Sequence, residues 1–258
     1  MKNQLTELRT TLRRRFVPRR HTALLVAIVT AFAARPLIGD IGMGPLIFSI
    51  ALLVLLLVAL YTIQVDELVG ERETLLTERR RRSILGWTLA GLAFAGRVAM
   101  IFFPWPRLYI AGLVCWLVFF SFVTWTELRS VLKQKHVTSE TISMAISVYL
   151  LFGLTWGVLY IVIFQLQPHA FNLGSSLDPT LLLSKHEQEV FPIFIYFSLT
   201  TLATIGYGDI TPVTLQARYA AVAEGIIGQF YLAILVARLV AMHMNQPADK
   251  DTRDQSRP

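Results

Sequence analysis

One stretch, residues 191–209 with the sequence FPIFIYFSLTTLATIGYGD, constrains the fold more than any other part of the chain. It opens with an apolar run, Phe191–Leu202, of about a dozen residues, whereas a helix needs roughly 20 to cross a bilayer. Pro192 is expected in the first turn of this helix, where its fixed φ is favourable. In the following Thr204–Asp209, TIGYGD, alternating glycines give the backbone unusual freedom. The pattern predicts a re-entrant half-helix and a loop whose successive carbonyl groups can face one axis.

The string Thr201–Asp209, TLATIGYGD, resembles the selectivity filter of potassium channels of the pore-loop superfamily. The resemblance covers about residues 142–244 and implies an outer helix, a pore helix, a filter and an inner helix. It implies a K+ site formed by backbone carbonyl groups and one hydroxyl. The filter ends after this site, and an acidic outer mouth follows. The residues implied are Thr204 (carbonyl and hydroxyl), Ile205, Gly206 and Tyr207 for K+, Gly208 for the end of the filter, and Asp209 for the outer mouth. One chain has one such loop, so a homotetramer is implied.

The sequence departs from the family pattern around the filter. Tyr196 and Phe197 stand where two tryptophans are common, and we expect them still to form an aromatic cuff. Thr200 stands where many members carry a carboxylate, next to Thr201 in the pore helix. Glu224, a carboxylate in an apolar segment, is a candidate brace for the filter in its place. The alternative for Glu224 is a protonated or hydrogen-bonded structural acid.

The inner helix contributes further candidates by the same resemblance. Gly228 matches the position of the family's hinge, although a glycine where two helices approach closely is an equally good interpretation. The candidates for residues lining the cavity below the filter are Gln229, Leu232 and Val236.

The chain of 258 residues is 54% hydrophobic, which indicates an all-α membrane protein. We expect six transmembrane helices, with the pore helix and filter between the fifth and the sixth. The expected spans are about Thr22–Ile38, Leu46–Ile63, Ile84–Phe103, Leu108–Thr126, Ile142–Leu166 and Val213–Met244. In domains, this gives a basic arm at 1–21, a four-helix domain at 22–140, a pore domain at 141–244 and a short tail at 245–258. Ser139 is the expected N-cap of the fifth span.

The basic residues predict the orientation and argue against nucleic acid as a partner. Lys and Arg number seven in the arm, five in 64–83, three in 127–140 and three in the tail, against four in the loops of the opposite side. By the positive-inside rule both termini are cytoplasmic and the filter loop enters from outside. The arm, with leucines at helical spacing, is a candidate for binding anionic lipid, or serves only to fix the topology.

These features predict a passive, potassium-selective channel in a cell membrane, most simply a bacterial inner membrane. Leu108–Thr126 lacks the arginine ladder of voltage sensors, and Arg97 stands alone in the third span, so we expect no strong voltage gating. The alternatives are a membrane subunit of a potassium-uptake transporter, a weakly selective cation channel, and a non-conducting protein with a vestigial filter. No cofactor is expected other than K+ as the permeant ion, and no nucleophile–base or metal-ligand pattern indicates an enzyme.

Overall fold

The structure, a computed structural model, describes residues 20–38, 44–69, 76–102, 106–134, 136–174 and 187–244. This part of the chain is mostly helical, with one pair of two-residue strands. The elements, in chain order, are α1 Arg20–Ile38, α2 Gly44–Val69, α3 Leu76–Phe102, α4 Pro106–Lys133, α5 Ser139–Leu166, β1 Phe171–Asn172, α6 Glu187–Leu202, β2 Thr211–Pro212 and α7 Leu215–Met244. The described residues of the six predicted spans are helical, except Val213 and Thr214, which precede α7.

Among the residues that the structure describes, three helices are long and apolar enough to cross a membrane. They contain the segments Arg107–Lys133, Ser139–Leu166 and Leu215–Met242, in α4, α5 and α7. These correspond to the predicted fourth, fifth and sixth spans. The apolar stretches found in the described parts of α1, α2, α3 and α6 are shorter, so the six spans and the re-entrant path of α6 stay predictions.

Two helix starts differ from the sequence predictions. The N-cap of α5 is Thr138, not Ser139: Thr138 has an extended backbone, and its hydroxyl accepts a hydrogen bond from the Thr141 amide. Ser139 is the first helical residue, because Thr138 and Thr141 cap one another reciprocally. Helix α6 starts at Glu187, so Pro192 lies inside the helix rather than in its first turn.

Helix α5 lies at the centre of the fold, where it packs against α1, α4 and α6. Its approach to α6 depends on two glycines one turn apart, in the pattern G-x-x-x-G. A Cβ at Gly153 would lie 2.6 Å from Leu199 Cδ2, and one at Gly157 would lie 2.4 Å from Ile195 Cδ1 and 3.2 Å from its Cα. The two glycines therefore bring the backbones of α5 and α6 close together.

Polar contacts fix the start of α1 to α4 and α5. The Nδ1 atom of His21 lies 3.2 Å from a carboxyl oxygen of Glu127, and both side chains are buried. Glu140 accepts hydrogen bonds from the His21 amide and, over 2.7 Å, from the Thr22 hydroxyl. The last residue of the predicted basic arm and the first residue of the predicted four-helix domain are thus attached to α4 and to the first turn of α5.

Several sequence predictions lie outside the described residues. They concern the basic arm up to residue 19, the loop at 175–186, the tail from 245 to 258, and the side chain of Arg97.

Candidate ion-binding site

The end of α6 fixes the direction of the first peptide groups of the loop at 203–209, which contains the predicted filter. The amides of Ile205 and Gly206 both donate to the carbonyl oxygen of Thr200, over 2.8 and 3.2 Å. In a planar trans peptide the carbonyl points opposite to the N–H, and the described residues contain no cis peptide bond. The carbonyl groups of Thr204 and Ile205 therefore both point away from α6.

The backbone φ angle alternates in sign along the predicted filter. Positive φ angles occur at Thr204 (57°), Gly206 (55°) and Gly208 (80°), with none at the two residues between them. Glycine adopts such angles without a steric penalty, but a threonine there costs about 1–2 kcal/mol. Strain of this kind is concentrated at functional sites.

The loop of the predicted filter, after the end of α6, is exposed in the single chain. Residues 203–209 are all exposed, and Ile205 and Tyr207 keep 55% and 70% of their surface accessible. A loop that directs carbonyl groups away from its supporting helix and leaves them uncovered has oxygen ligands available on that side. Hard cations prefer oxygen ligands of this type.

The two aromatic residues expected to form a cuff point to different places. The hydroxyl of Tyr196 donates to Asp209 over 2.8 Å, and its ring stacks on Tyr207 with centroids 6.3 Å apart. The bond to Asp209 raises the pKa of the Tyr196 phenol, which keeps it a donor. Phe197 is buried and packs edge-to-face on Tyr160 and Phe171. Tyr196 therefore contacts the outer mouth directly, whereas Phe197 belongs to the core behind the pore helix.

The two threonines of the pore helix are turned back onto it. The hydroxyls of Thr200 and Thr201 donate to the carbonyl of Phe197, over 3.0 and 2.8 Å. Thr200 is buried and its hydroxyl bonds within the helix, so its contribution to the predicted filter is the backbone carbonyl described above.

A short antiparallel ladder holds the segment after the filter. Phe171 pairs with Pro212 and Asn172 with Thr211, and the amide of Val213 donates to the carbonyl of Ala170 over 2.8 Å. The chain leaving α5 is in this way connected to the chain leaving the outer mouth.

Glu224 lies fully buried in α7 and contacts the two other helices of the predicted pore domain. Its carboxyl group bonds the hydroxyls of Tyr160, on α5, and Ser198, on α6. The structure therefore places the predicted brace behind the pore helix at Ser198, one helical turn before Leu202 and not beside Thr200.

Gly228 lies against the last residue of the pore helix. A Cβ there would lie 2.7 Å from Leu202 Cδ1 and 3.0 Å from the Leu202 carbonyl oxygen. This close approach supports the packing interpretation of Gly228. Of the predicted cavity residues, Gln229 and Val236 are exposed, and Leu232 is half-buried against a cluster that includes Met144 and Tyr231.

Sequence reasoning did not find four residues that support this site: Tyr149, Tyr160, Gly153 and Gly157. The two glycines had a usable signal, since GLTWG in an apolar helix fits a close-packing motif. The tyrosines had none, because their partners are more than 50 residues away in the sequence.

Comparisons with known proteins cover the part of the chain that contains this site. Residues 148–245 match a family model described as "Ion channel". Protein LctB of Bacillus caldotenax is 28% identical over 105 residues, which cover 41% of this chain and 74% of that protein. Protein LctB of Geobacillus stearothermophilus is 28% identical over 116 residues, 45% of this chain and 81% of that protein. No solved structure matches the chain.

The matched segment contains most of α5 and all of α6, the filter and α7. The similarity to an ion channel family over residues 148–245, together with the three helices of the described residues that are apolar enough to span a bilayer, supports a membrane protein related to ion channels.

Proposed function

We propose that the chain forms a potassium-selective channel that conducts K+ passively through a pore surrounded by four copies of residues 201–209. The observation that carries the proposal is the orientation of two consecutive carbonyl groups, at Thr204 and Ile205, away from the pore helix. A permeating cation must exchange its water shell for protein oxygens at nearly equal free energy. Carbonyl groups aligned by the backbone supply those oxygens without a charged ligand that would retain the ion.

The geometry of a single loop supports the proposed tetramer. One loop faces an ion from one side only, and its exposed surface in the single chain leaves room for further copies. Closed cyclic symmetry allows identical loops to surround an axis. The C-terminal end of α6, partly negative because of the helix dipole, would then favour a cation at the inner end of the filter.

The proposed gating is at most weakly voltage-dependent. Within α4 the basic residues are Arg107 near its start and Arg129 and Lys133 near its end, so its middle carries no charge to move through the field. We also propose that the basic arm binds the anionic surface of the cytoplasmic leaflet, since each Lys or Arg near such a surface contributes about 1 kcal/mol.

Ion flux in liposomes tests the proposed function. Purified protein should pass K+ and Rb+ much faster than Na+, and Ba2+ should block the flux. Gly206→Ala should abolish selective flux, because alanine is strained at a φ of 55°. Crowding is not the reason, since among the described residues no heavy atom beyond the two chain neighbours lies within 4 Å of the added carbon. Gly91→Ala is the matched control: it also has open space and lies in a regular helix. Equal permeability to Na+ and K+ would instead indicate a weakly selective cation channel.

The assembly is tested separately. Native mass spectrometry in detergent should give four chains per particle, whereas a transporter subunit that carries several loops per chain predicts no such tetramer. A monomer or dimer as the conducting species would contradict the proposal.

A further inference from the structure

The carboxyl group of Glu224 has no solvent exposure and lies in an apolar helix. Its Oε2 atom accepts a hydrogen bond from the hydroxyl of Tyr160 over 2.5 Å, and its Oε1 atom lies 2.5 Å from the hydroxyl oxygen of Ser198. Both partners are hydroxyl groups and neither is a cation. An ionised carboxylate buried without a paired cation is very costly, and such a group normally becomes neutral.

Counting protons in this cluster locates one on Glu224. The hydroxyl oxygen of Ser198 also lies 2.7 Å from the carbonyl oxygen of Gly153. A carbonyl can only accept, and a serine hydroxyl has one proton to donate. With an ionised Glu224, Ser198 would meet two acceptors, and one of these short contacts would have no proton.

A protonated acid satisfies every group in the cluster. Its Oε1–H then donates to Ser198, and Ser198 donates to the carbonyl of Gly153. Tyr160 donates to Oε2, the remaining acceptor of Glu224. A buried polar cluster with all its bonds made is a rigid connection, whereas a partly satisfied one is destabilising.

We propose that Glu224 is protonated at neutral pH and is a positioning residue that connects α7 to α5 and α6 behind the filter. A second contact reinforces this one, since Gly228 lies against Leu202. Glu224 and Gly228 are one turn apart on α7, as are Ser198 and Leu202 on α6. The inner helix is thereby attached to the pore helix at two successive turns, and any bending of α7 must occur beyond Gly228.

The effect of this link on conduction rests on the proposed channel function, but the protonation does not. Glutamine has the hydrogen-bonding pattern of a neutral acid, with an NH2 group that donates and a carbonyl that accepts. Glu224→Gln should therefore keep all three bonds of the cluster. Glu224→Leu has a similar size and removes the donor and the acceptor together.

Infrared difference spectroscopy tests the protonation without any ion flow. At neutral pH exposed carboxyl groups are ionised. When the spectrum of the purified Glu224→Gln variant is subtracted from that of the purified unaltered protein, the difference should therefore contain the carbonyl stretch of a protonated carboxylic acid. Ser198→Ala should shift this band, because its acceptor is lost. A difference spectrum with only carboxylate stretches would overturn the proposal.

The positioning role is tested with the same two variants at residue 224. Glu224→Gln should keep the thermal stability of the assembled protein and the single-channel open probability, and Glu224→Leu should lose both. A glutamine variant that fails to assemble, or that behaves as the leucine variant does, would overturn the proposal. If no variant or wild-type protein conducts K+ but the infrared band is present, the channel function fails while the protonated link stands.

Discussion

The hydroxyl of Tyr149, on α5, donates a hydrogen bond over 3.2 Å to the carbonyl oxygen of Leu202, the last residue of the pore helix. The final carbonyl groups of a helix have no partner within it. The carbonyl groups of Leu199, Thr200 and Thr201 accept hydrogen bonds from amides just after the helix. For the carbonyl of Leu202, the donor is the hydroxyl of Tyr149. An outer-helix side chain thus completes the support of the filter.

Removing this hydroxyl should weaken the end of the pore helix. We expect Tyr149→Phe to lower the free energy of unfolding by about 1 kcal/mol, the usual net contribution of one hydrogen bond. The ring stacked on Tyr231, with centroids 6.3 Å apart, is kept. Thermal unfolding in detergent measures the change, and Tyr219→Phe, at an exposed tyrosine of α7, is the control. Equal midpoints for Tyr149→Phe and the unaltered protein would contradict the assigned role of the bond.

The sequence predicted the helices because they have local signals: apolar runs of sufficient length indicate helices in a membrane protein. The filter was predicted from the string TIGYGD and stays a prediction. Helix starts were less certain: Thr138 and Ser139 are both good capping residues, and only the reciprocal bond with Thr141 decides between them.

The support behind the filter was predictable only in part. Glu224 stood out as a carboxylate among apolar residues, but its partners Tyr160 and Ser198 lie 64 and 26 residues away along the chain. Such pairs are set by how the helices pack, and a single sequence contains no periodic or local pattern that identifies them.

The bond between Tyr196 and Asp209 should stabilise the outer mouth in its conducting arrangement. Tyr196→Phe keeps the stacking on Tyr207 and removes the donor, so we expect the macroscopic K+ current to decay several-fold faster during sustained opening. Asp209→Asn should have an effect of the same sign. If the two act through one bond, the double variant should decay no faster than the stronger single variant. Additive effects would show that the two residues act independently.

The close approach of α5 to α6 should make Gly157 the less tolerant of its two glycines. A methyl group at Gly157 would meet the Cα of Ile195 at 3.2 Å as well as its side chain, whereas the nearest atoms to one at Gly153 belong to the side chains of Leu199 and Leu202. Overpacking typically costs about 1–3 kcal/mol. We expect Gly157→Ala to lower the unfolding midpoint more than Gly153→Ala, and Gly91→Ala, which has open space in a helix, not to lower it. The reverse order at the two contact positions would contradict this geometry.

Voltage should change the open probability only modestly. Moving one elementary charge across the whole field is worth about 2.3 kcal/mol per 100 mV, and the middle of α4 carries no basic residue. Single-channel recordings in planar bilayers, from strongly negative to strongly positive potentials, measure this dependence. A steep sigmoidal curve that flattens in Arg97→Gln would identify Arg97 as a gating charge, contrary to the prediction.

Gly228→Ala distinguishes a close-packing glycine from a hinge. The added methyl group would lie 2.7 Å from Leu202 Cδ1, so the inner helix must move away from the pore helix, and we expect a loss of about 1–3 kcal/mol in stability. Leu202→Val removes the δ carbons. If packing is the reason for Gly228, the double variant should recover part of the stability lost in Gly228→Ala, relative to Leu202→Val alone, in thermal unfolding.

A hinge predicts a different pattern for the same variants. Alanine is a better helix former than glycine by about 1 kcal/mol. If Gly228 were a flexible hinge without close contacts, Gly228→Ala would therefore stabilise the helix and slow the gating. Leu202→Val would then have no reason to restore the gating rate. The packing and hinge interpretations are separated by unfolding midpoints and open times, measured on the two single variants and the double variant. The effects of the two substitutions depend on one another only if Gly228 is needed for packing against Leu202.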